Sequence, residues 1–139
     1  MSFKVTLFIG GAPELPNAMQ RNHWGYETKH RRFWREQVCR AARGALPPAP
    51  LEKAAVTIEV WRKGRCDPDN LMASIKPILD GLQPERVWTR GNRTYVDAGC
   101  GLISGDAREN LKGGGATVIQ HRCKKGESPR VVVTVEEAE

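Results

Sequence analysis

Residues Ala54 to Leu82 read AAVTIEVWRKGRCDPDNLMASIKPILDGL, and two periodicities divide the stretch. From Ala54 to Trp61 the period is two, with Val56, Ile58 and Val60 facing one way and Thr57, Glu59 and Trp61 the other. That is the signature of a strand half buried against a core. From Pro68 to about Leu82 the pattern is helical. Asp67 occupies the N-cap position and Pro68 the first helical position, where proline's missing N–H costs nothing. Gly81 and Pro84 are expected to end the helix. Pro77 removes one backbone hydrogen bond and presses on the carbonyl of Ala73, so a kink, or a division into two short pieces, is expected there.

Working outward, Phe3, Val5, Leu7 and Ile9 alternate as a first strand that Gly10 and Gly11 end. A loop rich in Pro, Asn and aromatic residues comes next, then a helical pattern from about Lys29 to Arg43 with Trp34, Val38, Ala41 and Ala42 on one side. Gly44 and Pro47-Pro48 stop it. Gln83 to Gly101 reads as an insertion containing a short hairpin or loop. Leu102 to Ser104 reads as a brief strand, and Ala116–Arg122 with Arg130–Val135 as a closing pair of strands around a basic turn. Strands mixed with two helices, without regular βαβ alternation, predict an α+β fold: a mixed β-sheet with two main helices packed on it, in one domain spanning residues 1–139.

The chain has 139 residues, enough for a real core, and 40% of them are apolar, which excludes a fully disordered class. The formal net charge of +6 and a pI near 9.4 favour polyanionic partners. No apolar run approaches the roughly 20 residues of a membrane span, and no signal-peptide pattern opens the chain, so a cytoplasmic location is expected. Cys39, Cys66, Cys100 and Cys123 are spread without a C-x-x-C pair, which indicates buried reduced thiols.

The segment Asp67-Pro68-Asp69-Asn70 places two carboxylates and an amide in one strand-to-helix corner, with Lys76 and Asp80 further along the helix. Asp69, Ala73, Lys76 and Asp80 fall in one stripe, within about 40° of Asp69 around the axis. Hard cations such as Mg²⁺ take oxygen ligands and keep several waters, so close carboxylates near a phosphate-binding surface suit metal-assisted phosphodiester chemistry. The plainer reading is that Asp67 only caps the helix, Asp69 complements its dipole and Lys76 is solvated.

The runs DPDNLMASIKPILDGL and LISGDAREN, with Pro16-Asn17 after the first strand, resemble the RusA-type Holliday junction resolvases, small homodimeric Mg²⁺-dependent endonucleases of bacteria and their phages. The resemblance implies that Asp67, Asp69 and Asp106 bind the metal and that Lys76 is the catalytic lysine, stabilising charge that develops on the phosphate or the leaving oxygen. It implies branched DNA, a four-way junction, as partner, and gives Asp80 a structural role. The chain departs from the family at two points. The family's lysine stands four residues after the second aspartate, where this chain has Ala73, and Lys76 lies about 4.5 Å further along the axis. Gly105 replaces the first of a usual aspartate pair. These departures leave a non-cleaving branched-DNA-binding protein as the alternative, and a small basic RNA-binding or interaction module as a third reading.

Basic residues beside these motifs are candidate DNA contacts. Arg21, Lys29, Arg31, Arg32 and Arg35 flank the loop and the start of the first helix, where positive charge is unfavourable unless an anion joins it. Lys63 and Arg65 precede the carboxylates, and Lys124 and Lys125 lie in the late turn. Trp24, Tyr26 and Trp88 are weaker candidates for stacking on bases. Of His23, His30 and His121, only His121 has a possible ligand close by in sequence, Cys123, and no third and fourth ligand follows at zinc spacing; Gly113-Gly114-Gly115 lacks the Lys-Ser/Thr of a P-loop.

Overall fold

The computed structural model describes residues 2–16 and 25–139. The described strands are β1 (Lys4–Gly10), β2 (Ala54–Arg62), β3 (Pro84–Arg90), β4 (Arg93–Cys100), β5 (Thr117–Arg122) and β6 (Arg130–Glu137); the helices are α1 (Tyr26–Ala41) and α2 (Pro68–Leu82). Four strands form a mixed sheet in the order β1-β6-β2-β5, in which β2 and β5 run parallel and the other pairs antiparallel. β3 and β4 form a separate two-stranded ribbon. The architecture is α+β, as the mixture of periodicities requires.

Alternation decides which sheet face is buried. Leu7 and Ile9 of β1, Val56, Ile58 and Val60 of β2, and Val131, Val133 and Val135 of β6 turn into one core. Trp34, Val38 and Ala42 from α1 and its end meet them there, together with Leu71, Ile75, Ile78, Leu79 and Leu82 of α2. Burying each of the Val, Leu and Ile side chains among them contributes about 1.5–3 kcal/mol. The opposite sheet face carries Phe8, Thr57, Thr134 and Ile119, and Phe8 is 74% exposed.

Several sequence expectations change in detail. α1 begins at Tyr26 rather than Lys29 and ends at Ala41. α2 is one continuous helix, because buried Leu71 and Ile75 before Pro77 and Ile78, Leu79 and Leu82 after it hold both halves to the same core. Gly81 does not end α2 but lies buried within it, where a Cβ would stand 3.0 Å from Val38 Cβ and 3.1 Å from Arg35 Cα. Its role is close approach of α1. β5 and β6 do not pair with each other; β2 lies between them and takes hydrogen bonds from both, so the basic turn crosses the end of β2. Leu102–Ser104 supplies only an isolated bridge, Leu51 to Ile103, although Leu102 and Ile103 are fully buried. Gln83–Gly101 is chiefly the β3–β4 hairpin.

The four cysteines are free but half-buried rather than buried, and burial pushes the Cys100 thiol up to about 11, which leaves it protonated at neutral pH. Among the described residues no helix is long and apolar enough to cross a membrane.

Candidate active site

Ligand sites in sheets with parallel strands form beyond the strands' carboxyl ends. β2 and β5 are the parallel pair, and the segments leaving them meet at that end. β2 runs out at Arg62 into Lys63, Gly64, Arg65 and Cys66, then Asp67. β5 runs into the turn bearing Lys124 and Lys125, whose first residue, Cys123, donates its N–H to the Arg62 carbonyl at 2.6 Å. The fold therefore brings the segment bearing Lys63 and Arg65 and the turn bearing Lys124 and Lys125, all four exposed, to the same end of the β2–β5 pair.

Asp67 has extended N-cap geometry (φ −65°, ψ 150°), yet its side chain makes no capping hydrogen bond. Capping therefore does not occupy this carboxylate. Asp69 sits in the first turn of α2 and is exposed. Neither carboxylate has a hydrogen bond or ion pair among the described residues.

Lys76 forms the other half of the cluster. Its ammonium donates to Asp106 Oδ2 and lies 3.0 Å from Asp80 Oδ1. Burial pulls its pKa down, but hydrogen bonds from the ammonium to Asp106 and Asp80, with their charges, outweigh this and hold it above the ordinary lysine value. Lys76 is thus a cation at neutral pH. Asp80 also faces Arg35 Nη1 at 3.8 Å. The structure joins Lys76 to Asp106 across sequence, and leaves Asp69 and Asp67 near the helix start, about 10 and 13 Å along the axis from Lys76. Among the described residues no three His, Cys, Asp or Glu side chains form a metal-holding group.

A lysine raised in the folded state stabilises fully below its unfolded value and loses that contribution as pH rises through the folded value. The stability difference between wild type and Lys76→Met is therefore expected to stay constant from pH 7 to 9. It should shrink only above about 10.4, the unperturbed lysine pKa. Urea titrations at each pH measure it, and a difference that collapses below pH 9 contradicts the Lys76–Asp106–Asp80 cluster.

Two positioning residues escaped the sequence reading. Gln120 of β5 clamps the backbone of Cys66, accepting its N–H at 3.3 Å and donating to its carbonyl at 3.0 Å. This fixes the residue before Asp67. Arg62 donates to the Pro13 carbonyl and, at 2.8 Å, to Ser74 Oγ, which itself donates to the Leu71 carbonyl at 2.7 Å. Arg62 thus ties the end of β2 to the first loop and to α2, and its Nε is buried without a partner among the described residues. In sequence both residues look like ordinary strand positions; only the parallel pairing of β2 with β5 reveals Gln120. Gln120→Ala is expected to lose about 1–2 kcal/mol, two modest hydrogen bonds, and to speed hydrogen exchange at the Cys66 amide. Unchanged exchange there would show that the clamp does not hold the corner.

The remaining candidates are dispersed. Arg21, with Asn17, His23 and Trp24, lies outside the described residues. Lys29, Arg31 and Arg32 are exposed on α1, and Arg31 meets Glu27 at 3.7 Å. Tyr26 bonds Glu14 and stacks on His30, while Trp88 stacks on Tyr95. His121 is held by Glu59 at 3.1 Å and stacks on Trp61 at 4.3 Å. No family model matches the chain, and no curated protein matches it.

Proposed function

We propose that the protein is a Mg²⁺-dependent, structure-specific endodeoxyribonuclease that resolves four-way DNA junctions by paired hydrolysis of phosphodiester bonds, acting as a homodimer. The observation that carries this reading is the corner after β2. Asp67 and Asp69 are exposed there without partners among the described residues, just after Lys63 and Arg65 and at the end of the β2–β5 pair from which the turn bearing Lys124 and Lys125 departs. Adjacent carboxylates left unneutralised repel each other, and a divalent cation relieves that repulsion while attracting phosphate.

The donor chemistry at the corner fits Mg²⁺, since Asp67 and Asp69 offer only hard oxygens. Asp67 and Asp69 would hold the ion; Asp106 is engaged by Lys76 and would join them only by leaving that contact. When bound, Mg²⁺ offsets phosphate charge and acidifies water for attack on phosphorus. The chain's own part is electrostatic and positional: the four cations bind and orient the flanking phosphates, and Lys76 places a fixed positive charge beside Asp106. Two sites related by a two-fold axis suit a nearly two-fold-symmetric junction.

An end-labelled four-way junction incubated with Mg²⁺ or EDTA tests the reading. Mg²⁺-dependent nicks on the junction and not on linear duplex of the same sequence are expected. One observation favours a second reading, a non-cleaving branched-DNA-binding protein with a degraded site. Lys76 is already engaged by two carboxylates, and no three-carboxylate group stands assembled among the described residues. Tight junction binding without nicks in Mg²⁺ would replace the first reading by the second.

A further inference from the structure

The β3–β4 hairpin plays no part in the site described above, yet its charge is arranged at a cost. Paired residues share a face, so Arg86 and Asp97, Trp88 and Tyr95, and Arg90 and Arg93 line one side of the ribbon. Trp88 and Tyr95 stack with ring centroids 4.5 Å apart and planes 19° apart. Trp88 Nε1 donates to Asp97 Oδ2 at 3.0 Å, so Asp97 is engaged by the indole. Arg90 and Arg93 form the last pair before the turn, exposed and directly opposite. Like charges in that position destabilise a ribbon unless an anion joins them.

α1 supplies a matching wall. A groove of about 440 Å³ separates the helix from the hairpin, lined by Arg31, Arg32, Arg35, Asp80, Trp88 and Asp97 among others. Arg35 fastens the hairpin's base, donating to the Ala98 carbonyl at 2.8 Å and facing Asp80. Arg31 is paired with Glu27 at 3.7 Å and Arg35 with Asp80 at 3.8 Å. Arg32 has no ion pair or hydrogen bond among the described residues. Asp80 belongs to the groove and also to the Lys76–Asp106 cluster, so the groove leads to the candidate catalytic lysine.

We propose that the β3–β4 hairpin and the arginine face of α1 form a clamp for the sugar–phosphate backbone of a DNA arm, with Arg90 and Arg93 at its tip and Arg32 on its opposite wall. The choice of a DNA arm rests on the proposed function; the need for a polyanion rests on the uncompensated arginines alone. A strand held there is delivered toward Lys76, while the cations around Asp67 hold a second stretch of backbone.

Fluorescence anisotropy with a labelled four-way junction in EDTA tests the clamp across a NaCl series. Each lost phosphate contact lowers the slope of log K against log salt by about 0.9. Arg90→Ala/Arg93→Ala is expected to flatten the slope by about two units, so that between 50 and 200 mM NaCl it loses about tenfold less affinity than wild type. Removing a like-charge pair keeps or raises Tm, which separates lost binding from lost folding. Arg32→Ala, on the other wall, is expected to flatten the slope by about one unit. Wild-type affinity and slope in either variant would overturn the clamp. Because binding is read without metal, the two proposals fail separately. Groove-dependent binding without nicking in Mg²⁺ upholds the clamp and overturns the nuclease, and nicking with unaltered variant binding does the reverse.

Discussion

Asp69→Asn is expected to lower Mg²⁺-dependent junction nicking by about 10³-fold or more, because a divalent cation contributes several kcal/mol of charge stabilisation and each 1.36 kcal/mol is tenfold. Asn keeps the shape of Asp69 and removes one of two unpartnered charges. The fold should hardly notice: Asp69 is exposed in the first turn of α2 and among the described residues has no partner that the substitution would unpair. Its interaction with the helix dipole is worth about 0.3–1 kcal/mol. The same variant gives a second readout. Binding that relieves carboxylate repulsion raises apparent stability, so Tm should rise with Mg²⁺ in wild type and barely move in Asp69→Asn. A Tm rise that survives the substitution places the cation elsewhere and contradicts the site.

The second large effect is on stability. Gly99→Ala is expected to destabilise the protein by about 3 kcal/mol, the upper part of the range for overpacking in a site that cannot relax. A Cβ at Gly99 would lie 2.1 Å from the Gln83 carbonyl oxygen and 2.8 Å from the Pro84 carbonyl carbon and oxygen. All three are backbone atoms at the turn from α2 into β3, so no side chain can swing away. The turn is also tied on its other side, where Gly101 N–H donates to Gln83 O at 3.0 Å and Ile103 N–H to Leu82 O at 3.1 Å. Pushing β4 off Gln83 strains both bonds, and the chain they anchor carries Asp106 toward Lys76. A loss of that size lowers Tm by roughly 10 °C in a chain of this length. A fall of under about 2 °C would mean that the base of the hairpin is not closed in this way.

The legible and illegible parts of the molecule divide by sequence distance. Period two in β1 and β2 and the Asp67-Pro68 start of α2 are local signals, and those elements form where their side chains predict. The α+β class followed from them. What local pattern could not supply was partner choice. Residues 116–122 and 130–135 read as a hairpin, but Val131, Val133 and Val135 register against Val60, Ile58 and Val56, which puts β2 between them. That insertion creates the parallel β2–β5 edge, and with it the gathering of Lys63, Arg65, Lys124 and Lys125. Pro77 illustrates the same limit: its local cost is real, but burial on both sides of it keeps α2 whole. At the site, the carboxylates and Lys76 stood out by residue type and spacing. Gln120 and Arg62 did not, because their function is to hold backbone groups far away in sequence. The Lys76–Asp106 contact spans 30 residues and a hairpin, beyond the reach of any helical wheel.

The reading of this protein as a junction resolvase is tested most directly by mapping nicks on a four-way junction labelled on each of two opposing strands, with Mg²⁺ and with EDTA. Incisions are expected at symmetry-related positions on both strands, dependent on Mg²⁺ and absent from linear duplex. Strands that stay intact in Mg²⁺ while the junction is fully bound would contradict it.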